Sequence, residues 1–406
     1  MGRAAGLFFL LIVGAAGTVA WLVFARAAPA PPAVPAASTP PKASAPGSGA
    51  ATAPAEGLST REGRIAFLER MAGPTPPPPG GGNYYPSSAV RADALEALSA
   101  LPGYDVAPLV LAALGGDGDP GEWGEDRLRA AAMRAARGHA DGRETVKAFL
   151  REESDLADAD GTAAAALAAA RMGPEEGGNA LRRMMAVEPD DWTDEETFAA
   201  VLQGVASLGA GATPEELRRI VTATEDQYDA IVLGAASGAL LRLGDESGRA
   251  AFEAVREEGL DLEGFARGLG APGNAAAVPW LSEILLGEDD PFASEAAALA
   301  LAAVGGDAAK AALRRGLGKG TADAATAVAL ALLGDSSDLA RVRTARDGRD
   351  PDLSIPAWRA LALLGDGGSR EAAERLLAAP GRSSADPLFE AGTRPRVWAA
   401  LLLLKE

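Results

Sequence analysis

Apolar and small residues recur at helical spacing from about residue 89 to 404, in blocks that each run into a turn and then a second helix. The last residue before each turn serves as an anchor: Leu101, Arg137, Met172, Leu208, Leu243, Leu269, Val304, Leu333 and Leu364, at intervals of 36, 35, 36, 35, 26, 35, 29 and 31 residues. Glycine follows eight of the nine, as Gly138, Gly173, Gly209, Gly244, Gly270, Gly305, Gly334 and Gly365, while Leu101 is followed by Pro102. Glycine suits the residue after a helix end because the left-handed backbone common there is disfavoured once a Cβ is present. An acidic residue comes next in Gly244-Asp245, Gly334-Asp335 and Gly365-Asp366, placed to cap the second helix.

The register extends on both sides of the anchor. Nine residues past it stand Val110, Val146, Leu181, Leu217, Phe252, Val278, Leu313, Val342 and Ala373, the expected core contacts of the second helices. Four residues before it lie Ala168, Gly204, Ala239, Ala300, Ala329 and Ala360, small enough to let neighbouring helices approach closely, with Phe265 the exception. Ser59 to Glu62, Thr193 to Glu196 and Thr213 to Glu216 have capping-box form. No segment sustains the alternation of a strand, so the pattern predicts an all-α protein with essentially no sheet.

Paired helices repeating every 30 or so residues, with a Leu-Gly-Asp turn and Ala-rich first helices, resemble HEAT-like repeats of the short bacterial variety named after the phycobilisome lyase subunits. The resemblance covers about residues 60 to 404. It implies a right-handed α-solenoid whose second helices line the concave face, and it carries over no catalytic residue. Most such proteins are interaction surfaces, so the expected role is a non-catalytic scaffold; an enzyme or lyase-type subunit using the groove is the alternative.

The amino-terminal region follows another rule. Ala4 to Ala25 is 22 residues without a charge between Arg3 and Arg26, and a bilayer core takes about 20 apolar residues as helix. Residues 1–26 are therefore expected to be a membrane anchor, or a secretory signal cleaved after the small-x-small triplet Ala25-Arg26-Ala27. Residues 27–57 are almost wholly Ala, Pro, Ser, Thr and Gly, the composition of a disordered spacer. Residues 58–88 hold a short helix broken by a Pro/Gly-rich stretch, a connection into the repeats of 89–406, and Trp398 to Leu404 is expected to cap the solenoid core. These parts predict a single-pass protein of a bacterial inner membrane with its repeats in the periplasm, or a secreted one if the signal is removed.

Composition narrows the chemistry. The chain has 406 residues, no Cys and one His, which excludes disulfides, thiolate metal sites, thiol nucleophiles and multi-His metal centres. The net charge of −18 argues against nucleic acid as a partner. Nearly all of that acidity lies beyond residue 57, where Arg supplies most of the positive charge. His139 sits in a helix turn beside Asp141 with no nucleophile motif. The acidic runs Asp117 to Asp126 and Asp155 to Gly161 lack the ligand order of a calcium loop. Neither metal nor cofactor is expected.

One feature of the register points to a partner. Ten residues past the anchor stand Lys147, Arg182, Arg218, Arg314 and Arg343, and eleven past it Arg183, Arg219, Arg315 and Arg375. Equivalent positions of stacked repeats align in space, so these cations are expected to form ladders on the second helices, able to hold an acidic or extended protein segment. The plainer alternative is that they pair with nearby carboxylates.

Overall fold

A computed structural model describes residues 9–14, 17–22, 58–72, 88–104, 109, 166, 169–170, 173–186, 195–222, 229–257, 261–287, 290–318, 322–379 and 389–405. The helices are α1 (Arg61–Ala72), α2 (Ser88–Ser99), α3 (Pro174–Met185), α4 (Glu195–Leu208), α5 (Pro214–Val221), α6 (Ala230–Arg242), α7 (Arg249–Glu257) and α8 (Leu262–Leu269). They continue as α9 (Val278–Gly287), α10 (Pro291–Val304), α11 (Gly306–Gly316), α12 (Asp323–Leu332), α13 (Leu339–Arg346), α14 (Pro351–Leu364), α15 (Arg370–Ala378) and α16 (Phe389–Leu404).

The repeat register sorts these helices correctly. Helices α4, α8, α10 and α14 end at an anchor and α6 and α12 one residue before theirs, and α5, α7, α9, α11, α13 and α15 are the second helices that follow. Gly173, Gly209, Gly244, Gly305, Gly334 and Gly365 all have positive φ, as a left-handed helix exit requires. Gly270 does not, with φ of −72°; its place is set by packing, since a Cβ there would lie 3.0 Å from that of Ala300. The capping box at Thr213 and Glu216 is formed. At α1 the first turn is held by Thr60, whose Oγ1 accepts from the Gly63 amide at 3.0 Å.

The two layers differ in burial. Every residue of α6 from Ala230 to Leu241 is buried, and α12 is buried from Ala325 to Ala331. The second helices bury one face only, as Leu217, Ile220 and Val221 do in α5. The first helices therefore form the inner row. Glycines make the closest approach inside it: a Cβ on Gly234 of α6 would come within 2.2 Å of the Phe265 carbonyl oxygen, and one on Gly268 of α8 within 2.1 Å of the Ile231 oxygen. The row also bends far enough for alternate members to touch. The Gln203 side-chain amide of α4 donates to the Arg267 and Gly268 carbonyls of α8 at 2.9 and 3.3 Å, and Ser207 Oγ to the Pro272 carbonyl at 2.8 Å. The expectation that second helices line the concave face is thus corrected: close contact between alternate first helices puts the shorter path on their side.

Residues 58–88 were expected to connect into repeats beginning at residue 89; among the described residues α1 and α2 pack on the last helix of the chain. Helices α1 and α2 pair with each other and both lie against α16, which rests on α14 and α15. One apolar cluster joins Phe67, Leu68, Val90, Leu95 and Leu98 to Trp358, Trp398 and Leu401. Trp398 to Leu404 does close the core of the repeats, and is itself covered by the pair.

Within the segment expected to be one membrane-crossing helix, Phe9–Gly14 and Gly17–Leu22 form an antiparallel pair, β1 and β2, with Gly14 opposite Gly17. Glycines at the turn and the β-branched Ile12, Val13, Thr18 and Val19 favour such a ribbon. No helix among the described residues is long and apolar enough to cross a membrane. Apart from this pair the described residues contain no strand.

Candidate functional site

The cation series divides into two sets with different surroundings. At the tenth position three arginines bind the acidic residue of the next repeat's turn. Arg218 on α5 donates through Nη2 to Asp245 at 2.5 Å, Arg314 on α11 to Asp335 at 2.6 Å, and Arg343 on α13 to Asp366 at 2.5 Å. Each Asp begins the turn after a first helix, so each pair ties one second helix to the following repeat.

The turn carboxylates hold their own backbone as well. Asp245 Oδ1 accepts from the Ser247 amide at 2.8 Å and Asp335 Oδ1 from the Ser337 amide at 3.0 Å. These are local Asx-type contacts two residues on, so the expected helix caps are turn braces instead. The Ser247 hydrogen bonds and then Arg218 hold Asp245 below the ordinary Asp range. Asp335 is lowered by Ser337 and Arg314. Arg343 and then Ser369 do the same for Asp366, against the desolvation that burial brings.

At the eleventh position the side chains point outward. Arg183, Arg219, Arg315 and Arg375 are exposed, and so is Arg182, the tenth-position residue of α3. Arg375 pairs with Glu371 one turn back. Glu216 is held below the usual Glu range by its bonds with Thr213 first, and by the charges of Arg182 and Arg219 after that. The structure therefore brings Arg182 of α3 and Arg219 of α5 to the same carboxylate. The ladder is broken in the middle, because the corresponding place in α7 is Ala254 and in α9 Trp280. Trp280 is buried against Phe252, with the Arg249 guanidinium over both rings. Trp358 and Trp398 are buried too, as expected of core residues. Lys147, His139, Trp192 and both acidic runs lie outside the described residues.

A second constellation was missed by the register, because it joins the beginnings of first helices that lie far apart in sequence. Asp352 in the first turn of α14 feels the charges of Arg267 and Glu263 on α8 and of Arg394 on α16. One of its oxygens, Oδ1, is buried without a hydrogen-bond partner. Desolvation, and then the neighbouring Asp350, push its carboxyl up to about 7. Burial likewise raises Glu263 and Glu295, the latter opposed by Asp350 and Glu263. Glu263 is bonded to Arg267 one turn on. Arg394 is fully buried and bonded to the equally buried Asp93 of α2 at 2.6 Å. Charges of alternating sign thus run through the interior from α2 by way of α16 and α14 to α8. No group of three or more His, Asp or Glu among the described residues could hold a metal ion.

The signal for this interior chain was faint: an acid in the first turn of α8 and of α14 is what helix dipoles alone would favour, and only the bend of the inner row turns those ends toward one another.

Residues 263–334 match the sequence profile of HEAT repeats, a stretch running from α8 through α12. No curated protein matches the chain. The solved structures similar to it include human deoxyhypusine hydroxylase in complex with glycerol, at 17% identity and a TM-score of 0.35, covering 74% of this chain and 96% of the other.

Proposed function

From a chain that is a HEAT-like repeat protein, built as a helical scaffold, we propose a non-catalytic, membrane-anchored role in the bacterial cell envelope: holding a protein partner for complex assembly. The observation that carries it is the placing of exposed arginines along the second helices: Arg182, Arg183, Arg219 and Arg315 project from the outer face of an acidic chain. Arg182, Arg183 and Arg219 stand on the adjacent outer helices α3 and α5 and fit an acidic, extended protein segment, to which guanidinium groups can offer paired donors.

The anchor rests on the 22 uncharged residues between Arg3 and Arg26. In lipid every backbone polar group needs an internal partner, so only helices and closed barrels cross a bilayer. A helix over this segment satisfies its own backbone in a bilayer and, with the spacer, holds the repeat domain in the periplasm. Protease digestion of spheroplasts tests the placement: the repeats should be cut from outside and survive in intact cells.

A photo-crosslinker in place of Arg219 tests the partner site in cells. The captured peptide should be acidic, and capture should fall at least tenfold when Arg182, Arg183 and Arg315 are changed to Glu. Unchanged capture by the charge-reversed protein refutes the stripe. The enzyme reading has one observation in its favour, the carboxyl of Asp352 poised to exchange a proton near neutrality. It predicts loss of a turnover activity in Asp352→Asn with partner capture intact.

A further inference from the structure

The N-terminal pair α1–α2 meets the rest of the described chain at α14 and α16, through groups of high specificity. Arg394 and Asp93 are almost wholly enclosed, at 1% and 3% side-chain exposure. Arg359 of α14 is bonded to Glu96 of α2 at 2.5 Å. Arg64 of α1 donates to the Leu403 carbonyl of α16 at 3.1 Å. On α2 the two carboxylates stand three residues apart, one turn of one face, and each meets an arginine of a different helix. Around them Val90, Ala94, Leu95, Leu98, Trp398 and Leu401 close an apolar interface.

These contacts join residues separated by about 300 positions, so chain continuity does not decide which copy supplies which half. A surface that accepts α1–α2 of its own chain accepts the same pair from another copy with the same hydrogen bonds and burial.

We propose that the face of α14 and α16 beneath α2 is a self-association site, and that its partner is the α1–α2 pair of a second copy of this chain. In the single chain the two halves are tethered, which favours the closed form over exchange between dilute copies. The exchanged form therefore gains where copies are crowded together or where the contact within one chain is broken.

Charge complementation tests this in the full-length protein. Asp93→Arg sets two guanidinium groups against each other, and Arg394→Asp sets two carboxylates together, so neither variant can close on itself. When the two are mixed, reciprocal exchange puts the new arginine of one copy on the new aspartate of the other, and restores the native pair at the second junction. The mixture should give a 1:1 dimer by light scattering, with a melting temperature several degrees above that of either variant alone. The double variant Asp93→Arg/Arg394→Asp should be a closed monomer. A mixture that behaves as the sum of its parts, beside a folded double variant, overturns the proposal.

Should the double variant not fold, wild-type protein decides. Isotopically labelled and unlabelled chains are opened together in denaturant, refolded at high protein concentration, and treated with a carboxyl–amine cross-linker. Links between Lys405 and the α1 carboxylates Glu62 or Glu69 that join a labelled to an unlabelled peptide support exchange. Links confined to one isotope exclude it.

Discussion

Arg343 and Asp366 form the most enclosed of the three inter-repeat pairs, with the carboxylate at 4% side-chain exposure and the guanidinium at 36%. Removing the arginine leaves a buried charge with only Ser369 and the turn backbone to satisfy it. Arg343→Ala should cost about 2 kcal/mol by denaturant unfolding. The pH dependence follows from the same pairs. Because the native state holds Asp366, Asp335 and Asp245 below their ordinary value, their stabilisation is complete above the unfolded pKa and disappears as pH falls through the native ones. Asp352 works in the opposite sense: its native pKa of about 7 lies above the unfolded value of 3.8. Between those values the folded state keeps a proton that the unfolded state has lost, so stability falls as pH rises through the window. The Asp352→Asn protein should lose less melting temperature than wild type between pH 5 and pH 8.

Helices were legible in this sequence wherever a repeat rule applied. The anchors located the ends of α4, α6, α8, α10, α12 and α14, because a glycine exit and an apolar stripe are local properties of the chain. The facing of the layers was not legible, since it depends on how closely helices two repeats apart approach, and sequence spacing carries no term for that. Gly234 and Gly268 set how closely the neighbouring helices α6 and α8 pack, and the Gly268 carbonyl also accepts from Gln203 two repeats back; both resemble any small residue in an Ala-rich helix. A methyl group at either position meets a backbone oxygen that cannot move away. Gly268→Ala should therefore destabilise by about 1–3 kcal/mol, although alanine has the higher helix propensity. Gly367 provides the control, because a Cβ there would meet nothing within 4 Å: Gly367→Ala should leave the midpoint of denaturant unfolding within a few tenths of a kcal/mol of wild type. The cation series was half legible: equal spacing told which residues share a place in the repeat, while only the structure shows that Arg218, Arg314 and Arg343 bind turn aspartates.

Across the whole molecule, the order of helices in space departs from their order in the chain, with α2 lying on α16. Nothing in the repeat register predicted this, because Asp93 and Arg394 are ordinary helix residues until brought together. Breaking that enclosed pair leaves an isolated buried charge, so Asp93→Ala should cost about 3–5 kcal/mol, more than the loss of any single outer pair, and calorimetry should show it. The departure also has a consequence in time. On the ribosome α1 and α2 emerge early, with only each other to pack against, and the first residue of α16 follows about 290 residues after the end of α2. At 5–20 residues per second that is a wait of roughly 15 to 60 s, during which the nascent chain carries an apolar surface whose cover has yet to be synthesised.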